Sequence, residues 1–137
     1  MLAAIAGGTL PAVSFWKPIG AENEHPGYAN ISSGDQKVAD VLEKLELSPL
    51  WAKSAVIITY DENGGSWDHV SPSKIDSWGP GTRVPTLIVS PLAKRRFVDH
   101  TLYDTTSILK LIEERYDLPP PGARDAAAND LTNAFAF

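Results

Sequence analysis

Apolar residues along the chain occur in two patterns, short continuous runs and stripes at helical spacing. The runs within residues 55–60 and 84–90 have the length and β-branched content of strands. Residues 10–16 also predict a strand, because apolar residues alternate at positions 13 and 15. Two other segments have the i, i+3, i+4, i+7 spacing of an amphipathic helix. Their apolar positions are Val38, Val41, Leu42, Leu45 and Ile108, Leu111, Ile112, Tyr116. The pattern predicts the order strand, helix, strand, long loop, strand, helix.

Local signals set the ends of these elements. The first residues read as a helix tail ending at Gly7-Gly8. Ser33 to Gln36 has capping-box spacing and predicts the start of the first long helix. Asp104 or Thr105 can cap the second one.

The strand–helix–strand order over residues 10–60 implies a parallel pair with a right-handed crossover. We therefore predict an α/β fold with a mostly parallel central sheet flanked by helices. The loops 17–31 and 61–83 follow the two strands of this unit, so both should open at the same edge of the sheet.

Asp61 and Glu62 follow an apolar strand directly and precede the pair Gly64-Gly65. Two hard oxygen donors on a tight turn favour a divalent metal ion, whose identity the sequence leaves open. The alternative is a strand end capped by solvated acids. A Walker B strand is set aside because the chain has no Gly-Lys-Ser/Thr loop. An EF-hand would need glycine and glutamate where Ser66 and Pro72 stand.

Two histidines lie in the same two loops. His25 precedes Pro26, which favours an extended backbone that presents the imidazole. His69 follows Asp68 and can ligate a metal or hold a phosphate oxygen. Both residues are equally compatible with ordinary loop hydrogen bonding.

Composition narrows the class of protein. The 137 residues carry a net charge of −5, which does not indicate a nucleic-acid partner, and contain no cysteine, which excludes disulfides and zinc–thiolate sites. No apolar run approaches the roughly 20 residues of a membrane span. The N-terminus lacks the features of a signal peptide.

Several spaced motifs occur in one order along the chain. They are Leu10–Phe15, Glu24–Tyr28, Thr59–Gly65 with Asp68-His69, Gly81–Pro85 and Val98–Leu109. Together they resemble the C-terminal part of the bacterial phosphoesterase family that contains non-zinc phospholipases C and acid phosphatases. The resemblance covers nearly the whole chain.

The resemblance implies part of an alkaline-phosphatase-like sandwich and metal-assisted hydrolysis of a phosphoester through a phospho-enzyme. Asp61 and Glu62 would be metal ligands, and His25 would face the phosphate or the leaving group. His69 would lie in the same pocket. The substrate would be a phosphoester, with phospholipids among the candidates, and family members are mostly exported.

Residues 1–137 depart from the family because no segment matches its Ser/Thr nucleophile or its Glu-Asn ligand pair. We therefore expect one C-terminal segment of the domain, inactive without the missing N-terminal half. The alternative is a catalytically inactive fragment or a module that binds a partner through an exposed sheet edge.

Overall fold

The computed structural model describes residues 1–136 and shows an α/β arrangement with short strands. The helices are α1 (Leu2–Ala6), α2 (Ile31–Glu46), α3 (Thr106–Tyr116) and α4 (Ala123–Ala127), and the strands are β1 (Val56–Thr59) and β2 (Thr86–Val89). Single 3₁₀ turns occupy Gly20–Glu22, Trp51–Lys53 and Thr132–Ala134. None of the helices in the described residues is both long and apolar enough to cross a membrane.

The chain divides into two compact units. The first contains residues 1–72 and 81–91, and therefore α1, α2 and both strands. The second contains residues 73–80 and the chain from Leu92 onward, and therefore α3 and α4. All four residues of the predicted site lie in the first unit.

Helix α2 forms where the apolar stripe predicts it but begins earlier than the capping-box signal. Its N-cap is Asn30, whose side-chain oxygen accepts a hydrogen bond from the Ser33 amide at 2.9 Å. Ser33 lies inside the helix and donates from its hydroxyl to Ala21 O and Asn30 O. An asparagine satisfies a free amide at a helix start as well as serine does, so the predicted boundary was wrong by one turn.

The two strands pair antiparallel, so the predicted mostly parallel sheet is not confirmed in the part of the chain that is described. Val56 faces Val89 and Thr59 faces Thr86, and β1 and β2 have no other strand partner among residues 1–136. The reason is connectivity: β2 is the next strand after β1 and reaches it by a returning loop rather than a crossover helix.

Residues 10–16 were predicted to form a strand and do not. Pro11 has no amide hydrogen to donate to a ladder, and the Ser14 hydroxyl donates to Pro11 O at 3.1 Å. The backbone bends at this point instead of extending. The predicted crossover therefore has no first strand in the described residues.

The apolar core is small. Four apolar residues are buried in the described chain, namely Ile5, Leu45, Leu131 and Phe135. The exposed surface is 9,799 Å², against about 7,000 Å² for a compact monomer of this mass and about 8,400 Å² for two separate compact bodies of the two units' sizes. Large apolar side chains account for part of the excess, since Phe15 is 80% and Leu87 61% exposed.

In the second unit a half-buried carboxylate organises the start of α3. The Asp104 carboxylate accepts hydrogen bonds from the Thr106 amide at 2.7 Å and from Arg124 Nε at 3.1 Å. Arg124 also pairs with Asp76 at 3.7 Å. Asp104 lies just before the N-cap Thr105, accepts the first free amide of α3 and ties α3 to α4, which packs against it.

A pair of buried acids in the second unit makes the free energy of unfolding depend on pH. Glu113 and Asp125 are both 6% exposed, and Glu113 Oε2 is buried without a hydrogen-bond partner in the described residues. Burial, and then the Asp125 carboxylate, raise the pKa of Glu113, with Lys110 opposing and Glu114 adding to the shift. A raised pKa in the folded state means that folding favours the protonated acid.

We therefore expect stability from protonated Glu113 below about pH 4.3, its ordinary unfolded value, and its loss as the pH rises through the raised folded pKa. Glu113→Gln should remove this loss and stabilise the chain at neutral pH relative to wild type. Urea midpoints measured from pH 4 to 8 test the difference, with the exposed neighbour Glu114→Gln as control. Parallel pH profiles for wild type and Glu113→Gln would contradict the assignment.

Candidate functional site

Three contacts join the loop 17–31 to the end of β1 and the turn that follows. Lys17 Nζ lies 2.6 Å from Asp61 Oδ2, and the Tyr60 hydroxyl donates to Glu24 Oε2. A Cβ placed on Gly64 would lie 3.4 Å from Pro26 Cγ. The predicted proximity of the two loops is therefore confirmed, although the parallel strands from which it was inferred are not present in the described chain.

Asp61 lies at the surface, and Lys17 balances its negative charge. Both side chains are 72% exposed. The hydrogen bond and charge of Lys17 lower the pKa of Asp61, and Asp61 raises the pKa of Lys17 for the same reasons. Asp61 is therefore held as an anion, which is the form that binds a cation.

Glu62 lies on a tight turn that its own side chain stabilises. Glu62 Oε2 accepts from the Gly64 amide at 2.7 Å, and Asn63 Oδ1 accepts from the Gly65 amide at 3.1 Å. Gly64 and Gly65 both have positive φ, 59° and 76°, which explains why the sequence has two glycines here. The turn holds Glu62 directly beside Asp61 at the strand end.

His25 is exposed and held by its own loop. Asn23 Oδ1 accepts from the His25 amide at 3.0 Å, and His25 Nδ1 lies 2.7 Å from Pro26 O. The imidazole stacks on Tyr28 with 4.4 Å between ring centroids. Since a carbonyl can only accept, Nδ1 carries the proton in this bond, and a neutral ring then has Nε2 as its acceptor.

His69 has weaker support from its surroundings. Its side chain is 76% exposed, and Nδ1 lies 3.8 Å from Asp68 Oδ1. Asp68 itself forms two hydrogen bonds with the Arg83 guanidinium, at 2.8 and 2.9 Å. Hydrogen bonds from Arg83 and from the Val70 amide lower the pKa of Asp68 strongly. Asp68 thus joins the two ends of the loop between β1 and β2 through Arg83, and His69 lies next to that ion pair.

The donors present fit part of a cation site. Among residues 1–136, no cluster of three or more His, Cys, Asp or Glu side chains is placed to hold a metal ion. Asp61 and Glu62 offer two adjacent carboxylates, which fits a hard cation that keeps water or substrate oxygens as its other ligands. Lys17 would have to leave Asp61 for such an ion to bind there.

Sequence reasoning did not single out Lys17, Glu24, Tyr60 or Arg83. Each contacts its partner across a long sequence separation, for example 36 residues for Tyr60 and Glu24. The hydrogen bond to Glu24, and then burial, raise the pKa of Tyr60 to about 12. The one sequence signal for two of these residues was their position next to a predicted site residue: Glu24 precedes His25, and Tyr60 precedes Asp61.

An apolar cleft of about 280 Å³ lies between α2 and one face of the sheet. Its polar lining residues are Glu24, Asp35 and Tyr60. Its apolar lining residues are Val38, Ala39, Leu42, Ile58, Pro85, Leu87 and Val89. The cleft shows that α2 covers the sheet incompletely in this chain.

Comparison with known proteins gives a consistent family assignment. The family model described as “Phosphoesterase family” matches residues 1–119. Phospholipase C B of Mycobacterium tuberculosis is 36% identical over 156 aligned positions that cover 93% of this chain. The non-hemolytic phospholipase C of Burkholderia pseudomallei is 35% identical over 97% of the chain, and the non-specific phospholipase C6 of Arabidopsis thaliana is 30% identical over 82%.

The chain spans only part of these relatives. The matched stretch covers 30% of the Mycobacterium tuberculosis protein, 24% of the Burkholderia pseudomallei protein and 28% of the Arabidopsis thaliana protein. The relatives therefore contain more than two thirds of their length outside the region that this chain matches.

Proposed function

The chain belongs to the phosphoesterase family, and from this premise we propose that it forms part of an enzyme that hydrolyses phosphoric ester bonds. The observation that carries the proposal is the contact between the His25 loop and the Asp61-Glu62 turn. That contact brings two carboxylates and a histidine-bearing loop to one strand end.

Each of the four residues has a defined role in this proposal. Asp61 and Glu62 hold a divalent metal ion, which when bound supplies positive charge to a phosphoryl oxygen. His25 binds the phosphate or donates a proton to the leaving oxygen, and a ring protonated at both nitrogens would do either. His69 lies in the same pocket and contacts the substrate phosphate.

The chain supplies only part of the site in this proposal. A nucleophilic hydroxyl and further metal ligands would come from a region equivalent to the rest of the relatives. The excess exposed surface, the unpaired edges of the β1–β2 sheet in the described residues and the incompletely covered cleft support this, since each offers a place for further polypeptide. β1 and β2 would then be two strands of a larger alkaline-phosphatase-like sheet.

The proposed substrate is a phosphoester, and we include phospholipids among the candidates because the relatives are named phospholipase C. The chemistry of the proposed site acts on the phosphate, which phospholipids share with other phosphoesters.

A second candidate is a catalytically inactive fragment or a module that binds a protein partner. The observation that favours it is the incomplete donor set, because two carboxylates alone hold a cation weakly. The exposed apolar side chains would in that case serve only association.

The experiment that separates the two is a chimera. This chain replaces the matched region of the Mycobacterium tuberculosis phospholipase C B, and hydrolysis of p-nitrophenyl phosphate esters and of phosphatidylcholine vesicles is compared with that of the chain alone. We expect activity in the chimera with added divalent metal and none in the isolated chain. A folded but inactive chimera would favour the binding module, and full activity of the isolated chain would refute the partial site.

A further inference from the structure

Glu24 has a backbone conformation that residues other than glycine seldom adopt. Its φ is +64°, in the left-handed region that Gly27 and Gly64 also occupy and that Arg96 and Asp117 share among the other residues described. A non-glycine residue is disfavoured there. The contacts of the Glu24 side chain show what favours this conformation at residue 24.

The Glu24 side chain lies across two elements. Towards α2, it passes so close to Gly34 that a Cβ on Gly34 would lie 2.2 Å from Glu24 Cγ and 2.8 Å from Oε1. Towards β1, Oε2 accepts a hydrogen bond from the Tyr60 hydroxyl. Gly34 is buried in α2, although alanine is the more favourable residue at an interior helix position. The glycine therefore leaves room for this carboxylate.

We propose that Glu24 is a positioning residue that fastens the His25 loop to α2 and to the end of β1, and so sets His25 relative to Asp61 and Glu62. Its catalytic meaning rests on the function proposed above. The geometry is independent of that function. Glu24 directly precedes His25 in the sequence, and its hydrogen-bond partner Tyr60 directly precedes Asp61.

The ion pair between these segments is a weaker contact. Lys17 and Asp61 are both exposed, and exposed ion pairs contribute little and are screened by salt. Glu24 is half-buried and combines a charge-assisted hydrogen bond with close packing on a helix. Loss of the Glu24 side chain, with its hydrogen bond to Tyr60 and its packing on α2, should therefore displace the His25 loop.

The absence of cysteine from the sequence allows a direct test. Pro26→Cys and Gly64→Cys place thiols at two positions in contact, and the rate of disulfide formation under a fixed glutathione redox buffer reports how often the two segments meet. The pair is introduced into the wild-type chain and into Glu24→Gln, Glu24→Ala and Gly34→Ala chains. Because every chain carries both cysteines, the cost of introducing them cancels in the comparison.

We expect Glu24→Gln, which keeps the length and an acceptor for Tyr60, to cross-link at close to the wild-type rate. Glu24→Ala should slow cross-linking about fivefold or more, as expected for the loss of one charge-assisted hydrogen bond. Gly34→Ala should slow it similarly, because the new methyl group displaces the carboxylate, while the circular dichroism of the chain stays unchanged. In a Glu24→Gly background, Gly34→Ala should have no effect on the rate.

Equal rates in wild-type, Glu24→Ala and Gly34→Ala chains would overturn the proposal. If Glu24→Ala does not fold, Gly34→Ala decides alone, since it changes another element and keeps Glu24. In the chimera, Glu24→Ala should lower kcat with little change in KM, and Glu24→Gln should restore it. Slowed cross-linking in a chain whose chimera is inactive would support the positioning role while the proposed function fails.

Discussion

Asp61→Asn in the active chimera is expected to lower kcat/KM by at least about a hundredfold, because loss of an outer-shell partner of a metal ligand already costs about 10–100-fold and a ligand contributes more. Asparagine keeps the shape of aspartate but removes the negative charge that a divalent cation needs. Glu62→Gln should act in the same direction. Steady-state kinetics against Mn²⁺ concentration measure the effect, and more metal should recover part of the activity if weakened binding is the cause.

Two controls make this result specific. Asp117→Asn makes the same chemical change at an exposed residue with φ of 52°, a conformation that asparagine tolerates, and should leave kinetics unchanged. Lys17→Met breaks the ion pair with Asp61 without removing the carboxylate, and should reduce activity far less than Asp61→Asn. Equal losses for Lys17→Met and Asp61→Asn would show that the ion pair, not cation binding, explains the importance of Asp61.

Asp104→Ala is expected to lower the free energy of unfolding of the α3 region by about 2–4 kcal/mol, since it removes the acceptor for the first amide of α3 and leaves the Arg124 guanidinium without its closest carboxylate. Burial acts to raise the pKa of Asp104, but hydrogen bonds from Thr106 and Arg124 outweigh it, so the pKa is lowered. A lowered pKa gives stability above about pH 3.9 that is lost as the pH falls through the folded value. Hydrogen exchange of the α3 amides at pH 7 measures the effect.

The same helix provides a matched control for Asp104. Lys110 and Glu114 form an i, i+4 ion pair at 3.0 Å, and the Glu114 side chain is 55% exposed. Glu114→Ala should therefore cost no more than about 0.5 kcal/mol. A cost for Asp104→Ala as small as that for Glu114→Ala would contradict the role assigned to the hydrogen bonds of Asp104.

Elements whose formation depends on local sequence could be predicted. The stripes that predict α2 and α3 are long enough to specify a helix, and the runs at 55–60 and 84–90 contain β1 and β2. Gly64 and Gly65 indicated a turn, and both have the positive φ that only glycine adopts readily. Interactions between residues that are close in sequence determine these features, and a sequence pattern describes such residues.

Features that depend on distant partners could not be predicted. The strand orientation follows from which neighbour β1 pairs with, and apolar runs carry no information on that choice. Residues 10–16 have the apolar alternation of a strand, but Pro11 and the Ser14 hydroxyl favour a bend. Glu24 looks like a loop acid until Gly34 and Tyr60 are placed beside it. The assignment of His25, His69, Asp61 and Glu62 to a catalytic site, and of the chain to one C-terminal segment, stays a prediction.

The ion pair between Asp68 and Arg83 has a consequence for how related sequences diverge. It joins the two ends of the loop that returns from β1 to β2, so the pairing of the strands is held at the base of this loop. The alignment with the Mycobacterium tuberculosis relative runs over 156 positions, more than the 137 residues of this chain, so that relative has insertions within the matched stretch. A loop closed at its base is a place where evolution can add or remove residues, and so alter what a protein recognises, while the turn bearing Asp61 keeps its position.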